Sequence, residues 1–184
     1  MIYNLLIVGV GGQGIILVSD IIARAALAAG LYVKKSETHG MAQRGGSVVT
    51  HSRISDAEVF SPLIPKGAAD MLLAFEPVEA LRYADYLGKD TKIVVNTNPI
   101  AVGNYPEMEK ILEELKKLGN VTFVDAAKLA TEAGNPMTQN TVMLGAASKN
   151  LPIKKEALLQ SIRENVKKAV DENMKAFDLG AKLG

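Results

Sequence analysis

Cysteine is absent from all 184 residues, and tryptophan with it. Without a thiol the chain forms no disulfide, offers no thiolate nucleophile and ligates no iron–sulfur cluster through cysteine. His39 and His51 are its only histidines, so no histidine-rich metal site is expected and none is assigned; carboxylate-bound magnesium stays open. Aromatic residues are 5% of the chain, too few to suggest a platform for stacking bases. A net charge of +1 gives no electrostatic reason to expect nucleic acid or an anionic membrane as partner. No window stays apolar for the ~18 residues of a membrane span, and the opening residues lack the pattern of an export signal. A cytoplasmic location is the expectation.

What is present suits one α/β domain over residues 1–184, with nearly half its residues apolar. Ile2 to Val10 is a nearly continuous apolar run ending in glycines, as in a buried parallel strand. Gly12 to Ala29 reads as a helix and Leu31 to Glu37 as a second strand. Ser47 to Ile54 has strand-like β-branched content, and Glu58 to Phe60 is expected to return as a hairpin after a turn at Ser55 to Ala57. Further strands are expected at Met71–Phe75, Lys92–Asn96 and Val121–Asp125, with helices between them. A long amphipathic helix is expected from Lys154 to about Leu179, striped by Leu158, Ile162, Val166, Val170, Met174 and Phe177. The fold expected is Rossmann-like and three-layered, with a mostly parallel sheet and a β-hairpin excursion.

Two loops carry the polar chemistry. Gly9, Gly11 and Gly14 form a Gly-x-Gly-x-x-Gly turn between strand and helix, with Gly12 and Gln13 inside it, a context able to cradle a phosphate. Glu37, ending the next strand, stands roughly where a dinucleotide enzyme places its ribose-binding acid. Simple strand-to-helix packing explains the same glycines. The second loop, Ser36-Glu37-Thr38-His39-Gly40-Met41-Ala42-Gln43-Arg44-Gly45-Gly46-Ser47, holds an acid, an imidazole, an amide and a guanidinium among three glycines. Such a run cannot build a core. Arg44 between glycines offers a donor fork for a carboxylate or phosphate, His39 could move a proton near neutral pH, and Gln43 could orient a polar ligand. Asn96-Thr97-Asn98-Pro99 could line the same crevice. Glu79 with Arg82 or Tyr83 reads as ordinary helix surface, and the methionines at 137, 143 and 174 as helix packing.

Gly-Val-Gly-Gly-Gln-Gly, the run at 36–47, Ser61-Pro62-Leu63-Ile64, Gly67-Ala68-Ala69-Asp70 and Phe75-Glu76-Pro77 together resemble the gamma-type family of 2-oxoacid:ferredoxin oxidoreductases. Asn140 and Leu144-Gly145 are weaker echoes. The form His-Gly-Met-Ala-Gln-Arg-Gly-Gly is most similar to the indolepyruvate ferredoxin oxidoreductase branch, in its beta subunit. The resemblance implies a subunit of an enzyme that oxidatively decarboxylates 2-oxoacids, with coenzyme A as acyl acceptor and ferredoxin as electron acceptor. It implies a large partner subunit bearing thiamine diphosphate, magnesium and the iron–sulfur clusters, so this chain alone would bind no cofactor and be inactive. The residues agree, since no side chain here supplies the electron sink that decarboxylation needs. Glu37, His39, Gly40, Gln43, Arg44, Gly45 and Gly46 would then line a substrate path or subunit interface, and a homodimer stays open for the isolated chain. Two other readings stand beside this one: a nicotinamide dehydrogenase using the first glycine loop, and a noncatalytic nucleotide-binding or assembly module.

Overall fold

The computed structural model describes residues 1–39, 45–101 and 104–184, with the backbone alone at 39. Six strands form one mixed sheet in the order β2-β3-β1-β4-β5-β6. These are β1 (Ile2–Val10), β2 (Tyr32–His39), β3 (Ser47–Ser55), β4 (Ala69–Ala74), β5 (Leu87–Asn96) and β6 (Val121–Val124). β1, β4, β5 and β6 pair in parallel, whereas β3 is antiparallel to both of its neighbours, β1 and β2. The antiparallel hairpin is therefore the β2–β3 pair, joined through residues 40–46, and no hairpin strand forms at Glu58 to Phe60. That segment makes no strand because its neighbourhood is held by side chains instead of a backbone ladder. The Ile64 N–H donates to His51 Nδ1 at 3.2 Å, and Arg53 donates to the Ser61 carbonyl at 3.0 Å. Phe60 projects into solvent, 87% exposed.

Each central strand is buried on both faces, as crossover helices require. Leu5 and Ile7 face one hydrophobic cluster, and Leu6 and Val8 face the other. On the first face lie α1 (Ile15–Ala28), α4 (Ala126–Glu132), α5 (Gln139–Ala147), α6 (Lys155–Asn165) and α7 (Val170–Ala181); on the second lie α2 (Pro77–Arg82) and α3 (Met108–Lys117). The chain leaves β1 toward one face and β4 toward the other, so a topological switch point falls between these two strands.

The single long helix expected after Lys154 is two. Ala169 adopts a left-handed conformation at φ 53°, Val166 is extended, and the break lets α6 pack on α1 while α7 packs on α5. The α5–α7 contact depends on missing side chains, because a Cβ at Gly145 would lie 2.1 Å from the Phe177 carbonyl oxygen and one at Gly180 2.0 Å from that of Val142. Leu158, Ile162 and Phe177 are fully buried, so the apolar stripe is correct even though the continuous helix is not. Among the described residues no helix is long and apolar enough to cross a membrane.

Candidate functional site

Parallel strands deliver their carboxyl ends, and the loops that follow, to one end of the sheet. Val10 of β1 pairs with Ser47, the first residue of β3, so the first glycine loop and the closing glycines of the second meet there. The Gly11 N–H donates to the Gly46 carbonyl at 2.9 Å. His39 ends β2 at the same level, paired with Val48; its side chain, Gly40, Gln43 and Arg44 lie outside the described residues.

Glu37 is not brought to the glycine turn. It stands level with Ile7, and β3 separates it from β1, a gap of roughly 10 Å at the usual strand spacing. Its carboxylate takes the Lys35 ammonium at 2.8 Å, and Lys35 also reaches Asp20 at 2.5 Å and Ser19 at 2.9 Å. Burial alone would lower the Lys35 ammonium, but the hydrogen bonds to Asp20 and Glu37 outweigh it and hold it above its ordinary value. The residue that would bind a ribose instead clamps edge strand β2 to α1.

Gln13 fills the switch point. Its Oε1 accepts the Val10 N–H at 2.8 Å and its Nε2 donates to the Phe75 carbonyl at 2.7 Å, bolting the ends of β1 and β4 together. A backbone donor on one side and a backbone acceptor on the other fix which way this amide points. Gly9 leaves the room, since a Cβ there would lie 2.6 Å from Gln13 Oε1. Gly14 turns left-handed at φ 77° to begin α1 and packs against Asn140, whose Nδ2 would be 2.5 Å from a Cβ.

Beside this bolt a cavity of about 470 Å³ opens between the carboxyl ends of the strands and the starts of α4 and α5. Among the described residues, Gln13, Asn96, Asn98, Gln139 and Asn140 supply five carboxamides to its wall, with Phe75, Ile100 and Met137 as apolar lining and no ionisable side chain. Most of these amides are fixed from behind. Asn96 donates to the Phe75 carbonyl and accepts the Ala126 N–H, while Asn98 accepts the Ala127 N–H and donates to Asp125. Such a wall can orient a neutral hydrogen-bonding ligand but cannot move a proton. The Asn96 to Pro99 segment thus lines the crevice as expected, whereas Met137 is 85% exposed at its rim instead of packed.

A second cavity, about 250 Å³, adjoins the first across Ile100 and is bounded by Gly45, Val10, Glu76, Glu79, Arg82 and Tyr105. Glu79 is buried, contrary to the surface reading, because Ser47 Oγ donates to it at 2.5 Å across 32 residues of sequence. Glu76 is buried too and receives the Tyr105 hydroxyl. Burial and then the neighbouring Glu76 carboxylate push the Tyr105 phenol well above its ordinary value, so it remains a proton donor. Only the FEP run hinted at Glu76, and nothing local pointed to Glu79. Among the described residues no three His, Cys, Asp or Glu side chains converge as metal ligands.

Known proteins place this architecture. The family model for pyruvate ferredoxin/flavodoxin oxidoreductase matches residues 4–183. The chain is 46% identical to the indolepyruvate oxidoreductase subunit IorB of Archaeoglobus fulgidus, covering 96% of this chain and 92% of that one. Against the subunit of the same name from Pyrococcus horikoshii it is 45% identical, covering 98% and 95%. Its fold superposes on the gamma subunit of the keto/oxoacid ferredoxin oxidoreductase of Geobacter sulfurreducens with a TM-score of 0.77 at 27% identity, covering 100% and 96%. The chain belongs to the pyruvate ferredoxin/flavodoxin oxidoreductase family, as a subunit of a 2-oxoacid:ferredoxin oxidoreductase.

Proposed function

We propose that this chain is the small subunit of a cytoplasmic aryl-2-oxoacid:ferredoxin oxidoreductase, acting on indolepyruvate or a close analogue with coenzyme A as acyl acceptor. The chain works as one domain that completes the active site of a larger subunit. Identity of about 45% along the full length of two indolepyruvate oxidoreductase subunits supports the substrate class. The observation that carries the division of labour is the amide-lined cavity at the loop end of the sheet, a binding wall with no ionisable side chain among the described residues. With no cysteine in the chain, iron–sulfur clusters do not fit here. It also lacks the Gly-Asp-Gly with a later asparagine that would hold thiamine diphosphate through magnesium. Those groups belong on the partner, where the thiazolium supplies the electron sink for decarboxylation and the clusters lead electrons to ferredoxin.

The cavity fits part of coenzyme A by its chemistry. Carboxamides suit the two amides of a pantetheine arm. Gln13, Asn98 and Asn140 orient that ligand, and Ile100 and Phe75 exclude water from its flank. Arg44, with His39 and Gln43, meets a carboxylate or phosphate of substrate. No specific observation favours the nicotinamide reading once Glu37 is committed to Lys35.

Reconstitution with the larger subunit tests the proposal. Ferredoxin reduction should require both a 2-oxoacid and coenzyme A, with indolepyruvate preferred over pyruvate and 2-oxoglutarate, and Arg44→Ala should lower turnover or raise KM. Saturable NAD(H) binding by the isolated chain, or turnover indifferent to coenzyme A, would contradict it.

A further inference from the structure

Two carboxylates on the first turn of α2 each reach in two directions. Glu76 Oε2 accepts the Glu79 N–H at 3.1 Å, capping the helix, while Oε1 receives the Tyr105 hydroxyl. Glu79 Oε1 accepts Arg82 Nε at 3.0 Å, while Oε2 receives Ser47 Oγ at 2.5 Å. Each thus fixes itself to α2 with one oxygen and extends the other to a different wall of the site. Ser47 follows directly on the glycines whose Gly46 carbonyl meets the first loop, and Tyr105 lines the smaller cavity, which shares Ile100 with the larger. Glu76 is 2% and Glu79 5% exposed, and Arg82 is the one cation paired with either of them among the described residues. Burying two carboxylates one helical turn apart is a poor way to gain stability, because desolvation and mutual repulsion oppose it.

We propose that Glu76 and Glu79 are positioning residues for the oxidoreductase reaction, holding Ser47 and Tyr105 so that Gly45 and Gly46, just before Ser47, and Tyr105 stand at a fixed separation across the smaller cavity. The proposal rests on the reading that these walls line the site. Ser47→Ala and Glu79→Ala should each raise the KM for indolepyruvate or coenzyme A in the reconstituted complex about tenfold, with kcat less affected. Glu79→Gln should restore most of the loss, since its amide oxygen still accepts the Ser47 hydroxyl and the largely exposed Arg82 is free to turn into solvent. The double variant S47A/E79A should be no worse than E79A, because both changes break one bond. In the isolated chain, amide hydrogen exchange at residues 45–48 should quicken in S47A and E79A while residues 5–8 of β1 stay protected. Unchanged exchange at 45–48 would overturn the proposal whatever the assay shows, as would wild-type KM and kcat per assembled complex. Quickened exchange in a chain whose wild-type complex lacks 2-oxoacid-dependent reduction would uphold the positioning and refute the functional reading instead.

Discussion

The two cavities at the loop end of the sheet share Ile100 and almost nothing else. The larger is walled by carboxamides that the backbone holds in place; the smaller hides two carboxylates that hold the backbone in place. In the first, main-chain groups of β1, β4 and α4 orient side chains toward an open space. In the second, side chains of α2 orient segments distant in sequence. On the proposed reading, recognition and positioning fall to neighbouring but chemically opposite sites, one lined by carboxamides among the described residues and the other by two buried carboxylates.

The largest effects are expected at the carboxamide-walled cavity. Gly14→Val forces a branched side chain into a left-handed turn against Asn140, and should cost about 3 kcal/mol from conformational strain and overpacking together. A wild-type denaturation midpoint would show that the larger cavity is not built around this turn. Gln13→Leu leaves the Val10 N–H without its acceptor, while the Phe75 carbonyl keeps Asn96, so about 2 kcal/mol should be lost in urea unfolding. Because the same bolt joins β1 to β4, hydrogen exchange should quicken at both strand ends. At the charged half, Tyr105→Phe removes one donor to a buried carboxylate and should cost ~1–2 kcal/mol. An equal loss from Asn98→Ala, which sits in the neutral wall, would blur the distinction.

The smallest effect lies outside both cavities. His51 accepts the Ile64 N–H and is buried beside Tyr86, and burial lowers its pKa. Below the unfolded value of ~6.5 the unfolded chain gains a proton that the folded chain resists, so stability falls as pH falls toward the depressed folded value. His51→Gln should flatten that slope in pH-dependent thermal melts without altering either cavity.

Local signals carried much of the fold. The apolar run Ile2–Val10, the glycine turn and the Asn96–Pro99 crevice segment were legible because each depends on neighbours in sequence. Strand order was not, since nothing in β2 states that β3 will lie between it and β1; that insertion is what parted Glu37 from the glycine turn. The break at Ala169 hid within an unbroken apolar stripe because periodicity records which face is buried and not where a backbone turns left-handed. Glu79 looked like surface because its decisive partner, Ser47, is remote in sequence and close only after folding.

The most direct test of the central claim compares ferredoxin reduction from indolepyruvate and coenzyme A by this chain alone, by the larger subunit alone and by the two together. One wall of a shared site predicts no turnover from this chain, little from its partner and full turnover only when both are present. Turnover by this chain alone, or a partner equally active without it, would contradict the account.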